Sequence, residues 1–544
     1  MKETVAASIP SPRDTIATRL LGAAVLLGLL ANALFFDQPL GLNVTLFLLA
    51  LLGAALLAGR SKGIRPLHRN LWLVAPLMLV AVSTALRVQP FLTFLNLVAA
   101  MGLLLLLAHY FTAGSPFTLT LPGYPLVAAR VALHSLGDTV TLLPHVDLRR
   151  LRLRGDLARS VLRGLLLAVP ILLFFTGLLA AADLIFAQAV SRFFHLAWLE
   201  KIAESLWRLA FILAVAWISA GGLAFALLRG ALPAPGGWVS ERVRDVVRLG
   251  IVEAAVVLLL VDLLFLAFVW IQAFYLFGGQ AHLALAEGVT YASYARRGYF
   301  ELLAVALVAL ALLLLLVWLT PRASRRARWL FNVAGSLLLA LVGVMLASAF
   351  YRILLYESAY GLTRLRLYVH VSLVWLALLL AWTLLTLWLP GGEPHTTHRF
   401  ATGAFFAALG FLLSLNLLNP DALIARHNLG HYLAGGQFQP EAGAADLRVA
   451  TGIDAAYLTW LGDDAVPVLV DAVTLVEGQE RESICTTLRW RQMRYVQGDP
   501  WFAFNLGRLR ARNALRQEGW QELCPPLEDV RAPDYEPGSV SPGP

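Results

Sequence analysis

Residues 299–319 read YFELLAVALVALALLLLLVWL. After Glu301 the run has no charged side chain, and as an α-helix its length would be about 31 Å, close to the ~30 Å hydrocarbon thickness of a bilayer. It is apolar on every side, with neither the alternation of a half-buried strand nor the polar stripe of a helix on a soluble surface. Such a segment bonds its own backbone and offers hydrocarbon only side chains that hydrocarbon accepts. The stretch predicts a membrane-spanning helix.

Ten further apolar runs share this character, at 20–36, 40–58, 71–86, 91–111, 165–186, 206–228, 249–277, 329–350, 368–389 and 400–418. Composition agrees: of 544 residues, 59% belong to the hydrophobic set and 14% are charged, whereas soluble domains run near a quarter charged. The expected fold class is therefore all-α, a polytopic transmembrane helical bundle of about eleven spans followed by a small extracytoplasmic helical domain. The divisions are a four-span region (1–112), a cytoplasmic loop (113–164), a seven-span core (165–418), the exported helical domain (419–524) and a disordered tail (525–544).

Charge sets the orientation. With the N-terminus inside, the inner segments hold 23 Lys plus Arg and the outer loops 8, the asymmetry of the positive-inside rule. An odd number of crossings then puts everything after residue 418 outside. The location expected is the bacterial cytoplasmic (inner) membrane. Arg13 and Arg19, followed by LLGAAVLLGLL and the small-residue pattern ANA at 31–33, resemble a signal peptide, but the long preceding region favours an uncleaved first span. In the inner loop, RRLRLRGDLARSVLR at 149–163 suits an amphipathic helix on the membrane surface. Before residue 420 there are 32 Lys plus Arg against 17 Asp plus Glu, and from there on 11 against 17. The basic excess thus lies between apolar spans, where it orients helices, and nucleic acid is excluded as a partner. Cys485 and Cys524, the only cysteines, both fall in the exported domain, where an oxidising compartment permits a disulfide.

TYASYARRGYFELLAVAL at 290–307, AFYRILLYESAYGLTRLRLYV at 349–369, NPDALIARHNLGHYL at 419–433 and IDAAYLTWLGDDAVPVLVDAV at 453–473 resemble a bacterial multi-pass membrane family known as domain-of-unknown-function family 4173. The likeness runs over about 169–473. It implies membrane location and architecture, and no catalytic or binding residue to carry over.

Chemistry-bearing motifs are sparse. There is no GxGxxG before a helix, no GxxxxGK[ST], no HExxH and no CxxC, so no cofactor is expected and catalysis has no sequence warrant. His427 and His431 stand i,i+4 with no third ligand evident, and His395 and His398 lie in an inner loop as solvated residues, so no metal is expected. Ionisable residues inside spans are the stronger signal, because each costs roughly 2.5–3.5 kcal/mol at the centre of an inserted helix on translocon scales. Asp262 lies mid-span, Glu253 lies one turn in from the inner end of the same span, and Asp183 and Arg208 are placed to pair. At the outer face, Arg296, Arg297, Arg352, Arg364 and Arg366 gather against Glu301 and Glu357, with Tyr356 and Tyr360 stepping by four towards Arg364. The expectation is a collar that docks the acidic tail domain, or a site for anionic lipid or lipid-linked phosphate. The function expected first is an envelope scaffold or sensor whose exported domain contacts a protein partner; the alternatives are a transporter using Asp262 and an outer-leaflet enzyme acting on lipid-linked substrate.

Overall fold

A computed structural model describes residues 12–60, 63–64, 66–142, 197–229, 248–277, 299–322, 324–390, 392–435, 454–495, 498–524 and 526. Among these residues the chain is built of helices and turns with no strand. The first group is α1 (Pro12–Phe35), α2 (Leu42–Arg60), α3 (Val74–Leu86), α4 (Pro90–His109), α5 (Gly123–Leu142) and α6 (Ala197–Ala224). The second is α7 (Ile251–Phe277), α8 (Tyr299–Leu319), α9 (Arg325–Tyr360), α10 (Arg364–Trp388) and α11 (Gly392–Leu418). Six shorter helices follow: α12 (Pro420–Leu433), α13 (Ala455–Trp460), α14 (Val466–Val473), α15 (Gly478–Arg494), α16 (Leu506–Leu515) and α17 (Gly519–Leu523).

Ten of these helices are long and apolar enough to cross a membrane, and they fall on ten of the eleven expected runs. The chain is an all-α polytopic membrane protein. The run at 165–186, the arginine-rich stretch at 149–163 and residues 527–544 lie outside the described residues.

Since the spans are apolar all round, hydrophobicity alone does not decide which face turns inward; packing and polar contacts do. On α7, Leu260 and Leu264 are exposed as lipid-facing residues, while Ala254, Leu258 and Asp262 are buried. Polar side chains bridge the helices. Asn96 of α4 and Asn416 of α11 exchange amide hydrogen bonds of 2.9 and 2.8 Å, and Gln272 of α7 donates to Ser348 of α9. The α11 helix packs on α10, α3, α4 and α8, so it joins the two groups of spans.

Two features depart from the sequence reading. The first is α5, a 20-residue helix where a loop was expected. Its Asp138 carboxylate receives two bonds of 2.7 Å from Arg229, and Thr139 donates to the Trp217 carbonyl at 2.8 Å. Arg130, His134 and Asp138 interrupt its hydropathy and hide it from a search for apolar runs, but the partner helix satisfies the acid. The second is α9, whose 36 residues reach about 54 Å at 1.5 Å per residue, far beyond the hydrocarbon core. YRILLYESAY, beyond the expected end of the span at 350, is therefore the end of the same helix. The helix stops at Gly361, whose φ of 75° lies in the region that favours glycine, and whose N–H reaches back to the Glu357 carbonyl at 2.8 Å. Thr363 caps α10 through its side chain.

The helices after α11 are not a detached appendix. Their core residues Leu458, Leu469, Ile484 and Trp520 belong to the same buried cluster as Leu362, Leu412 and Leu415 of the span region. Within them Cys485 and Cys524 are disulfide-bonded, with Cα atoms 5.3 Å apart. The bond closes a sequence separation of 39 residues, which in the chain-entropy account contributes about 4 kcal/mol. Cys485→Ser should therefore lower the stability of this region by roughly that amount. Hydrogen exchange on the intact protein should show α15 and α17 losing protection first; unchanged protection would show that the bond adds nothing.

Candidate functional site: the polar collar beneath the tail helices

At one end of the bundle, three breaks in the chain come together: the turn Gly361–Leu362–Thr363, the α3–α4 connection and the step from α11 into α12. Asn419 makes that last step in the left-handed conformation, with φ 53°, and Pro420 then opens α12 where a missing N–H costs nothing. This puts Asp421 in the first turn, where its charge also suits the helix dipole.

Asp421 has no exposed side-chain area and is fully bonded. Arg364 donates through Nε and Nη2 to its two oxygens, both at 2.7 Å, and the Gly462 N–H adds a third bond of 2.7 Å. Gly462 is required by space, since a Cβ there would lie 2.6 Å from Asp421 Oδ2. The Arg364 guanidinium also lies over the Trp460 ring, 4.5 Å from its centroid, and the Arg364 N–H donates to the Tyr457 hydroxyl at 2.9 Å. One arginine on a span thus holds α12, α13 and the turn after it. Asn428 reinforces the joint by bonding both the N–H and the carbonyl of Leu362, at 2.8 and 3.0 Å.

A second set of contacts holds the far side of the collar. Arg87 donates from Nε to the Asn416 carbonyl at 2.6 Å, at the C-terminus of α11, where a cation suits the dipole. The next N–H, of Val88, donates to Asp464 at 2.9 Å. Asn505 reaches the Thr84 and Arg87 carbonyls at 2.9 and 3.0 Å, and the Phe504 carbonyl accepts from Leu42 N–H at 3.0 Å. Burial pushes the Asp464 carboxyl up to about 6, against the pull of the Val88 N–H and Arg87. Burial and the neighbouring Asp463 push the Tyr495 hydroxyl far above its usual value, while that hydroxyl donates to Asp463.

The residues singled out in the sequence are divided by the structure. Arg296, Arg297 and Asp183 lie outside the described residues. Arg364 and Arg366 are brought to the collar, but Tyr356, Tyr360 and Arg364 do not share one helical face, because α9 ends before Gly361. Arg366 instead folds back, its guanidinium 4.3 Å from the Tyr356 ring centroid and 5.9 Å from that of Tyr360, and donates to the Tyr360 carbonyl at 3.0 Å. Glu357 faces two histidines, His427 Nε2 at 3.2 Å and His370 Nε2 at 3.6 Å. No cluster of three or more metal-ligating residues occurs among the described residues. Arg352 is buried on α9, and Glu301 stands exposed in the first turn of α8. Arg208 bonds Glu204 at 2.6 Å and approaches Asp37 at 3.8 Å. Glu253 accepts from the Gly250 N–H at 2.7 Å at the start of α7. Asp262 is 2% exposed, and neither of its oxygens has a hydrogen-bond partner among the described residues.

Sequence reasoning missed Asp421, Asn428, Tyr457, Asp464, Arg87 and Asn505. The first had a local signal: an acid directly after the proline that opens a helix. The others act through contacts made 66 to 421 residues away and had none.

These features define the chain as a polytopic helical membrane protein with a helical cap seated on one end of its bundle. Residues 74–472 match the family described as "Domain of unknown function (DUF4153)", and the chain belongs to that family. The match supports an uncharacterised membrane family, under a different number from the 4173 expected from the motifs. No curated protein and no solved structure shows significant similarity to the chain.

Two outcomes test the collar. Asp421→Ala leaves the Arg364 guanidinium without its partner in a mostly buried site and should cost about 3–5 kcal/mol, read as protease sensitivity of the tail helices while the spans stay folded. Asp464 gives a pH signature. Its folded-state pKa of about 6 lies above the unfolded value of 3.8, so its contribution is fully present below about 4 and is lost as pH rises through 6. Asp464→Asn should then match wild type near pH 3.5 and exceed it at pH 7.5 by on the order of 3 kcal/mol in thermal unfolding. Parallel pH profiles for the two proteins would remove Asp464 from the account.

Proposed function

We propose that the protein is a scaffold or sensor of the bacterial cytoplasmic membrane that holds its tail helices in a fixed orientation at the extracytoplasmic face for contact with a protein partner. The observation that carries this reading is the bidentate Arg364–Asp421 pair together with the Asn428, Asp464 and Asn505 bonds. A domain that merely trailed from the last span would need none of them. The excess of Lys and Arg in the opposite set of loops supports the orientation, and the disulfide supports an oxidising compartment. Trp460 and Trp501 remain 65% and 73% exposed at this end, and aromatic residues of this kind anchor protein interfaces.

Alkaline phosphatase fused after Val473 should be active, and a cytosolic fluorescent reporter at the same point dark; the reverse pattern would sink the topology. A photo-crosslinker at position 460 should trap a discrete protein adduct in intact cells, and the adduct should weaken when Asp421→Ala loosens the collar. If no adduct forms in either background, the partner-contact reading fails.

One observation favours a second reading, transport. Asp262 is a buried carboxyl at mid-span without a hydrogen-bond partner among the described residues, the kind of residue that marks ion or proton paths. Asp262→Asn should insert normally. Loss of a transport phenotype at normal abundance would favour this reading, and unchanged phenotypes would exclude Asp262 as a carrier site. The outer-leaflet lipid-enzyme reading gains less support, because Arg364 and Arg366 are already engaged with protein groups.

A further inference from the structure

The end of the bundle opposite the collar carries a different arrangement of cations. A cleft of about 510 Å³ opens between the start of α11, the end of α10 and the segment before α5, lined by Phe117, Trp382, His395, His398, Arg399 and Thr402. His395, His398, Arg399 and Thr402 follow one another at i, i+3, i+4 and i+7 and so share a face of α11. The backbone here is already committed: Trp382 Nε1 donates to the Arg399 carbonyl at 2.8 Å, and Thr402 donates to the His398 carbonyl at 2.9 Å. Two side-chain nitrogens differ. His398 Nδ1 and Arg399 Nη1 are both buried and have no hydrogen-bond partner among the described residues. This is the reverse of the collar, where Arg364 and Arg366 have their donors taken up by protein oxygens.

Beside the cleft, a second hollow of about 510 Å³ runs along α11 between α4 and α5. Its walls include Ala99, Gly102, Ala128, Ala401, Ala404 and Ala408, small residues whose missing side chains leave a trough in an otherwise close-packed surface. Tyr124 of α5 lines this trough and meets the side chain of Thr402 in the cleft, so the two spaces adjoin. An apolar trough along a membrane span joined to cationic and imidazole donors at the span's end has the two-part chemistry of a phospholipid: acyl chain along the helix, phosphate at the rim. Trp382, in the last two turns of α10, is of a residue type that collects near the level of lipid headgroups.

The geometry points to a binding site for one anionic phospholipid at this end of the bundle, its phosphate held by Arg399 and His398 and one acyl chain laid in the α4–α5–α11 trough. The site is independent of the scaffold reading and of the collar. A guanidinium supplies charge-assisted bonds to phosphate and an imidazole N–H adds a further donor, while a zwitterionic headgroup of the same size keeps the phosphate but adds a cation that the Arg399 side repels.

Native mass spectrometry of the full-length protein, equilibrated with palmitoyl-oleoyl phosphatidylglycerol or phosphatidylcholine, tests this directly. Phosphatidylglycerol should be retained as a single species about tenfold more strongly than phosphatidylcholine, the scale of one charge-assisted hydrogen bond. Arg399→Gln should remove that preference, Arg399→Lys should keep part of it, and Arg326→Gln, which removes one exposed charge elsewhere, should leave it unchanged. Ala404→Trp fills the trough and should weaken both lipids alike. Inorganic phosphate at millimolar concentration should not displace the lipid; if it does so efficiently, the cleft is a free-anion site and the lipid proposal is wrong. Equal retention of the two lipids by the wild-type protein, or a preference that survives Arg399→Gln, overturns it as well. Should Arg399→Gln fail to accumulate, the wild-type lipid preference and its weakening in His398→Gln decide the question.

Discussion

The bidentate contact between Arg364 and Asp421 is the joint on which the arrangement of the protein depends. Each partner would be expensive to bury alone, and together they are tolerable only because the geometry is tight and the remaining acceptor capacity is filled by the Gly462 N–H. The pair stands at the first residue of α10 and the first turn of α12. It therefore converts two helix starts, each carrying unsatisfied N–H groups and a partial positive charge, into one shared site. Gly361 and Asn419 supply the two left-handed turns that aim those helix starts at each other.

From this joint the contrast between the two ends of the bundle follows. At the collar, arginines are engaged by carboxylates, carbonyls and aromatic faces. At the other end, Arg399 Nη1 and His398 Nδ1 are buried with no hydrogen-bond partner among the described residues, beside an apolar trough. Between them, the spans are held by side-chain amides and hydroxyls such as Asn96 with Asn416, because lipid offers no hydrophobic force to drive one apolar helix onto another.

Asp262 stands apart from both ends. Asp262 is buried at mid-span with no hydrogen-bond partner among the described residues, so it adds none of the side-chain bonds that hold the other spans together.

Hydrophobic run length, which is a local property, determined the fold class: every described span expected from the sequence is a helix, since hydrocarbon forces a single solution on each apolar segment. Charge distribution, also local, supplied the expected orientation. The limits were set by contacts that run length does not encode. The α5 helix escaped notice because its acid is neutralised by Arg229, ninety-one residues on. YRILLYESAY fell largely outside the expected span at 329–350 because its tyrosines and charges break the apolar pattern, although the backbone stays helical until Gly361. The collar was legible only in part: Arg364 and Arg366 stood out as cations where few were expected, but their partners did not, because Asp421 and the tail residues become neighbours only once α12 has turned back over the bundle. Which described arginines are engaged, and by what, is a matter of what the folded chain brings within 3 Å of them, and only the tertiary structure decided it.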